Sequence, residues 1–153
     1  MADVRFPALL VLGLLAVVLA GCGGGGGGSR LSHAQLVKQG DAICVAASGE
    51  IDKLGDPASL ADVARVGAKL ATIRSGETDE LAALKAAKDD EDGQTAMIAA
   101  LRARDATLKD LVTAARKGDQ AAATRALAAG QPLGSKASDA ALDLGLLRCA
   151  EGG

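Results

Sequence analysis

Few side chains in this 153-residue sequence can do chemistry: one histidine, His33, three cysteines, Cys22, Cys44 and Cys149, and scattered carboxylates. A catalytic triad or a zinc site needs partners for His33 that the chain cannot supply from a second histidine or a spare cysteine. The acidic run Asp89-Asp90-Glu91-Asp92 before Gly93 has the composition of a calcium loop. An EF-hand with its glycine at Gly93 would start at Lys88 and end at Ala99, where an acid and a bidentate glutamate are required. Both ends fail, so the run reads as a solvated turn in which Asp92 caps the following helix and its neighbours complement the helix dipole. Glu50, Asp52, Glu77, Asp79 and Glu80 are carboxylates on helical segments, but a di-iron bundle would also need Glu-x-x-His on two helices, and there is none. They are expected on solvent faces, pairing with Lys53, Lys85 and Lys88. The expectation is no catalytic residue, no metal and no cofactor.

Cys22 has a different context. The apolar block from Pro7 to Ala20 follows a short segment with Arg5 and the amino terminus set against Asp3. Basic start, apolar core and small residues at a cut form the plan of a secretory signal, and the core is short for a bilayer span of about 20 residues. Leu19-Ala20-Gly21-Cys22 resembles the lipobox of bacterial lipoproteins. The resemblance implies that the thiol of Cys22 receives a diacylglyceryl group, that the bond after Gly21 is cut, and that Cys22 becomes the first residue. Gly23 to Gly28 and Ser29 follow, a flexible coil with a root-mean-square reach on the order of 15 Å. The expected organisation is a signal peptide over 1–21, a lipidated cysteine and tether over 22–30, and one domain over 31–153.

With Cys22 lipidated, Cys44 and Cys149 remain, and an even pair in an exported domain reads as a disulfide. Closing a loop of roughly 100 residues contributes about 4–5 kcal/mol in the loop-entropy picture. A redox pair or a two-thiol metal site would want a C-x-x-C spacing or a neighbouring histidine, and neither is present. The segment Gly40-Asp41-Ala42-Ile43-Cys44, with the ending Leu144-Gly145-Leu146-Leu147-Arg148-Cys149, is similar to a group of small exported lipoproteins of high-GC Gram-positive bacteria. Those carry Ala-Asp-Ala-Ile-Cys in the first helix and an ending of the form Leu-Gly-Leu-x-x-Cys; here Gly40 stands in place of the first alanine. The resemblance implies the helical fold and the disulfide and adds no catalytic residue.

The elements that must position these cysteines are helical. Ser32 with Gln35 forms a capping box, with Leu31 and Leu36 as its staple, and Leu36, Gly40, Cys44, Ala47 and Ile51 recur at helical spacing. Gly55 ends this helix; Asp56 is expected to cap the second, with Pro57 at its first position. The second helix carries Leu60, Val63, Gly67, Leu70, Ile73, Leu81 and Leu84, with Ser75-Gly76 as a point of kinking. A third carries Met97, Ile98, Leu101, Leu108, Leu111 and Val112 and stops at Lys117-Gly118. Asp119 then caps a short fourth helix to about Ala129, Gly130-Gln131-Pro132 turns the chain, and a last helix runs from near Ser135 to Cys149. No stretch alternates with the period of a strand. The expected fold is all-α, an antiparallel bundle of four to five helices.

Composition narrows the function. Seventeen basic residues against 19 acidic ones, a formal net charge of −2, leave no basic character for nucleic acid. Phe6, inside the signal segment, is the only aromatic residue, so stacking on bases is excluded from the mature chain. The core is built from Leu, Ile, Val and Ala, each alanine burying little area. The expected role is non-enzymatic: an interaction or structural role at the cell envelope for a protein held by lipid on Cys22 to the outer face of a bacterial membrane, with an envelope protein as partner. The alternative is an extracytoplasmic binding protein for a small apolar ligand or ion.

Overall fold

A computed structural model describes residues 29–152. The expected signal segment, the residues read as a lipobox, Leu19, Ala20, Gly21 and Cys22, and the glycine run lie outside the described residues. Within them the chain is all-α: α1 (His33–Ile51), α2 (Leu60–Ala83), α3 (Glu91–Arg116), α4 (Gln120–Asp143) and the short α5 (Leu147–Glu151). Single 3₁₀ turns, Asp52–Leu54 and Lys88–Asp90, join the first three. No strand is present among the described residues.

The ends of these helices follow from local chemistry. Ser32 caps α1 in a complete capping box: its Oγ accepts from the Gln35 N–H while the Ser32 N–H donates to Gln35 Oε1 at 2.9 Å. Gly55, at φ +70°, carries the chain out of the 3₁₀ turn after α1. The second helix starts later than Asp56-Pro57 suggests. Ser59 is its cap, accepting from the Asp62 N–H at 3.1 Å and donating to Asp62 Oδ2 at 2.9 Å. One bond satisfies a free helix N–H and the other holds the capping hydroxyl in place through the Asp62 carboxylate. The Arg65 guanidinium and the Ser59 hydroxyl hold the Asp62 carboxyl below its usual range. α2 then runs unbroken through Ser75-Gly76 and stops at Ala83, with Leu84 extended at ψ 130°.

Gln94, buried near the start of α3, donates through Nε2 to the Leu81 and Leu84 carbonyls at 2.9 and 2.7 Å, filling two acceptors at the end of α2. The cap position of α3 is Asp90, not Asp92, and no side-chain cap bond forms there; the preceding 3₁₀ turn already supplies the Glu91 N–H with the Lys88 carbonyl. At the far end of α3, Gly118 at φ +70° closes a Schellman motif, in which the Asp119 N–H donates to the Ala114 carbonyl and the Gly118 N–H to the Ala115 carbonyl. Asp119 then caps α4, accepting from the Ala122 N–H at 2.8 Å.

The expected turn at Gly130-Gln131-Pro132 does not form. α4 runs straight through it, with Pro132 inside the helix. Pro132 removes one N–H that would serve the Ala128 carbonyl, but both residues are exposed, so water can reach that carbonyl. On the opposite face Ala123, Gly134, Ala137 and Ala141 are buried, and this small-residue stripe holds α4 along α3. The break falls instead at Gly145, φ +73°, where a second Schellman motif runs from Leu146 N–H to Ala141 O and from Gly145 N–H to Leu142 O. The expected last helix is therefore divided between α4 and α5.

The four long helices run up and down, and α5 turns back beside α1. Leu146, wholly buried, seats on Gly40, and the Arg148 N–H at the start of α5 donates to Asp41 Oδ1 at 2.9 Å. The main core lies at this end, around Leu81, Met97, Leu101, Leu144 and Leu146. A smaller core at the other end joins Leu111, Ala114 and Ala123, with Leu60, Val63 and Leu108 only partly covered.

Candidate ligand-binding cleft

Cys44 and Cys149 meet as a disulfide, with Cα atoms 5.0 Å apart across 105 residues of sequence. Cys44 comes from the buried stripe of α1 and Cys149 from α5, so the bond fastens α5 into the seam between α1 and α4. From Gly145 beside Val37 to Gly152 beside Ser48, this last segment lies along most of α1 and stops short of the bundle's far end. The residues just before α1 are docked as well. The Leu31 N–H donates to the Lys85 carbonyl at 2.7 Å, Arg30 reaches the Ala86 carbonyl and Glu91 at 3.0 Å each, and His33 Nδ1 lies 3.1 Å from Asp90 Oδ1. His33 is thus an exposed residue at the connection between α2 and α3.

Past the end of α1 a cleft of about 810 Å³ opens between α2, α3 and the start of α4, walled by Ile51, Leu60, Val63, Leu70, Leu111 and Leu127 among others, with Asp52 and Asp56 also lining it. This volume is that of an ordinary small-molecule site. A second compartment of about 320 Å³ adjoins it, sharing Ile51, Leu70, Leu108, Leu111 and Leu127 and adding Arg74, Arg104, Thr107 and Gln131. The cleft exists because α1 ends at Ile51 while α3 and α4 continue, and because α5 is too short to follow them. Aliphatic residues that would otherwise complete the smaller core are left as its walls.

Behind this smaller compartment is a buried set of four charges. Arg74 Nη1 is 2.9 Å from Glu77 Oε2, Arg104 Nη2 is 3.7 Å from the same oxygen, and Arg104 is 3.3 Å from Asp105 Oδ1. The side chains of Glu77 and Asp105 are 4 % and 7 % exposed, those of Arg74 and Arg104 15 % and 13 %. The Thr78 hydroxyl donates to Asp105 Oδ2 at 2.7 Å and lies 2.9 Å from the Arg74 carbonyl. Arg74 also donates to the Gly152 carbonyl, tying the end of α5 to α2. Formal charge is balanced, and removing one member would leave another buried and unpaired, a cost of about 3–5 kcal/mol.

Glu77 departs from the expectation for it. It is buried and paired with arginines, because its place on α2 faces α3, whereas Asp79 and Glu80 are exposed as expected. Glu50 does pair with Lys53, at 2.6 Å, but neither Lys85 nor Lys88 is in an ion pair among the described residues. Arg74, Arg104 and Asp105 carried no signal in the sequence beyond helical spacing. Among the described residues no group of three or more His, Cys, Asp or Glu side chains is placed to hold a metal ion, and no helix is long and apolar enough to cross a membrane. No protein-family model matches the chain, and no curated protein or solved structure matches it significantly.

Proposed function

We propose that this chain is a non-enzymatic binding protein of the bacterial cell envelope, tethered to the outer face of the membrane by lipid on Cys22, and that its aliphatic cleft takes a small apolar ligand. The observation that carries the binding role is the ligand-sized aliphatic cleft where α1 has ended and α2, α3 and the start of α4 continue without it. The address rests on Leu19-Ala20-Gly21-Cys22 and the glycine run behind it; two acyl chains give stable anchoring where one does not. With the tether root docked on the α2–α3 connection, the cleft opens at the end of the bundle far from the anchor.

Native mass spectrometry of the protein purified from its own membranes tests this reading. The expected species is the chain from Cys22 to Gly153 with its acyl groups, two hydrogens lighter for the Cys44–Cys149 bond, and carrying a small additional mass released on unfolding. A bare lipidated chain with a stoichiometric protein companion would favour the structural role at the envelope. An uncleaved chain would overturn the lipoprotein assignment.

A further inference from the structure

Within the proposed ligand-binding reading, on which this inference rests, we infer that the ligand is a free aliphatic carboxylate, lying with its chain along the cleft and its head against Arg74 and Arg104. The two compartments differ in charge. In the larger one the charged lining residues are Asp52 and Asp56, at the exposed 3₁₀ turn and loop after α1. The smaller one is lined by Arg74 and Arg104, and no carboxylate is among its described lining residues. Glu77 and Asp105 stand behind the arginines and do not line it, so the balanced set of four presents its guanidinium side to the cleft.

Those guanidinium groups have donors to spare. Each carries five N–H bonds in a planar fork. Arg104 uses Nε and Nη2 on Asp105, at 3.4 and 3.3 Å, both long for charge-assisted bonds. Its Nη1 has no hydrogen bond among the described residues. Arg74 uses one bond each from Nη1 and Nη2. A carboxylate matches the guanidinium fork in two-point geometry, and the Gln131 amide at the same compartment can donate a further bond. A cation in the smaller compartment would face two guanidinium groups and no lining carboxylate, and an uncharged chain would leave those donors unused.

The aliphatic character of the walls specifies the other part of the ligand. Leu60, Val63, Val66, Leu70, Leu108 and Leu111 bury a flexible chain without stacking it, and no aromatic residue stands after Phe6 to favour a planar ring.

Photolabelling of the full-length chain in phosphatidylcholine vesicles provides the test, with two probes of equal length, an aliphatic carboxylic acid and the matching alcohol, each with a mid-chain diazirine. The acid is expected to label peptides containing Leu70, Leu108, Leu111 or Leu127 at least about tenfold more than the alcohol, since a charge-assisted hydrogen bond contributes that much discrimination. Gln131→Glu, an exposed change that leaves the buried charges intact, should cut labelling by the acid about tenfold and leave the alcohol unchanged; Gln131→Lys should retain it. Arg74→Gln/Glu77→Gln, which removes one charge of each sign, should have the effect of Gln131→Glu if its circular dichroism remains helical. Equal labelling by acid and alcohol, insensitive to Gln131→Glu, overturns the carboxylate assignment and leaves the apolar-ligand reading standing. Absence of both probes from the cleft peptides overturns both.

Discussion

Gly40 and Gly76 are both interior helical glycines, and they should respond to alanine in opposite directions. A Cβ at Gly40 would come 2.5 Å from Leu146 Cδ2, and Leu146 is wholly buried, with no room to retreat. A Cβ at Gly76 meets nothing within 4 Å. Gly40→Ala should therefore destabilise by about 1–3 kcal/mol through overpacking, partly offset by helix propensity. Gly76→Ala should stabilise by about 0.5–1 kcal/mol. Urea unfolding followed by circular dichroism reads both, and a stabilised Gly40→Ala protein would show that α5 does not seat as described.

Among the helices, α4 carries the clearest conflict between local preference and tertiary packing. Gly130-Gln131-Pro132 locally favours a turn, yet the helix continues because its buried stripe of small residues lets it lie close against α3. At Gly130 a Cβ would come within 3.1 Å of Thr107 Oγ1, so the glycine serves that approach rather than a chain reversal. Pro132 is then a local cost the packing has absorbed. Pro132→Ala should restore the bond to the Ala128 carbonyl and raise stability by about 1–3 kcal/mol, seen as a higher melting temperature with unchanged helix content. A lower melting temperature would mean that the proline enforces a needed bend.

For the molecule as a whole, the disulfide matters most through α5. A five-residue helix has no independent stability; it is held by Cys149, by the wholly buried Leu146 and by the Arg74 bond to Gly152. Replacing both cysteines, Cys44→Ala/Cys149→Ala, should cost about 2–5 kcal/mol and lower the melting temperature by about 10 °C. Hydrogen exchange should locate the loss: amides of α5 and of α1 facing it should lose protection first, while the α3–α4 pair keeps its own. Uniform loss across all helices would mean instead that the bond acts only by restricting the unfolded chain.

What could be read from the sequence was whatever a few neighbouring residues decide together. The capping box at Ser32, the stop at Lys117-Gly118, the cap at Asp119, the absence of strands among the described residues and the all-α bundle depend on local bonds and on the spacing of apolar residues, which tertiary context had no cause to override. The disulfide was legible from chemistry, as two cysteines left to each other once Cys22 was set aside in a chain expected to be exported. Tertiary structure alone decided the rest. Pro132 stayed helical because burial on the far side of α4 outweighed one lost hydrogen bond. The break fell at Gly145, where a positive φ turns the chain and Cys149 comes back to Cys44. Glu77 was drawn inside by arginines from two helices, and the cleft is set by the differing lengths of α1, α3, α4 and α5, a relation between elements that no single stretch of sequence contains.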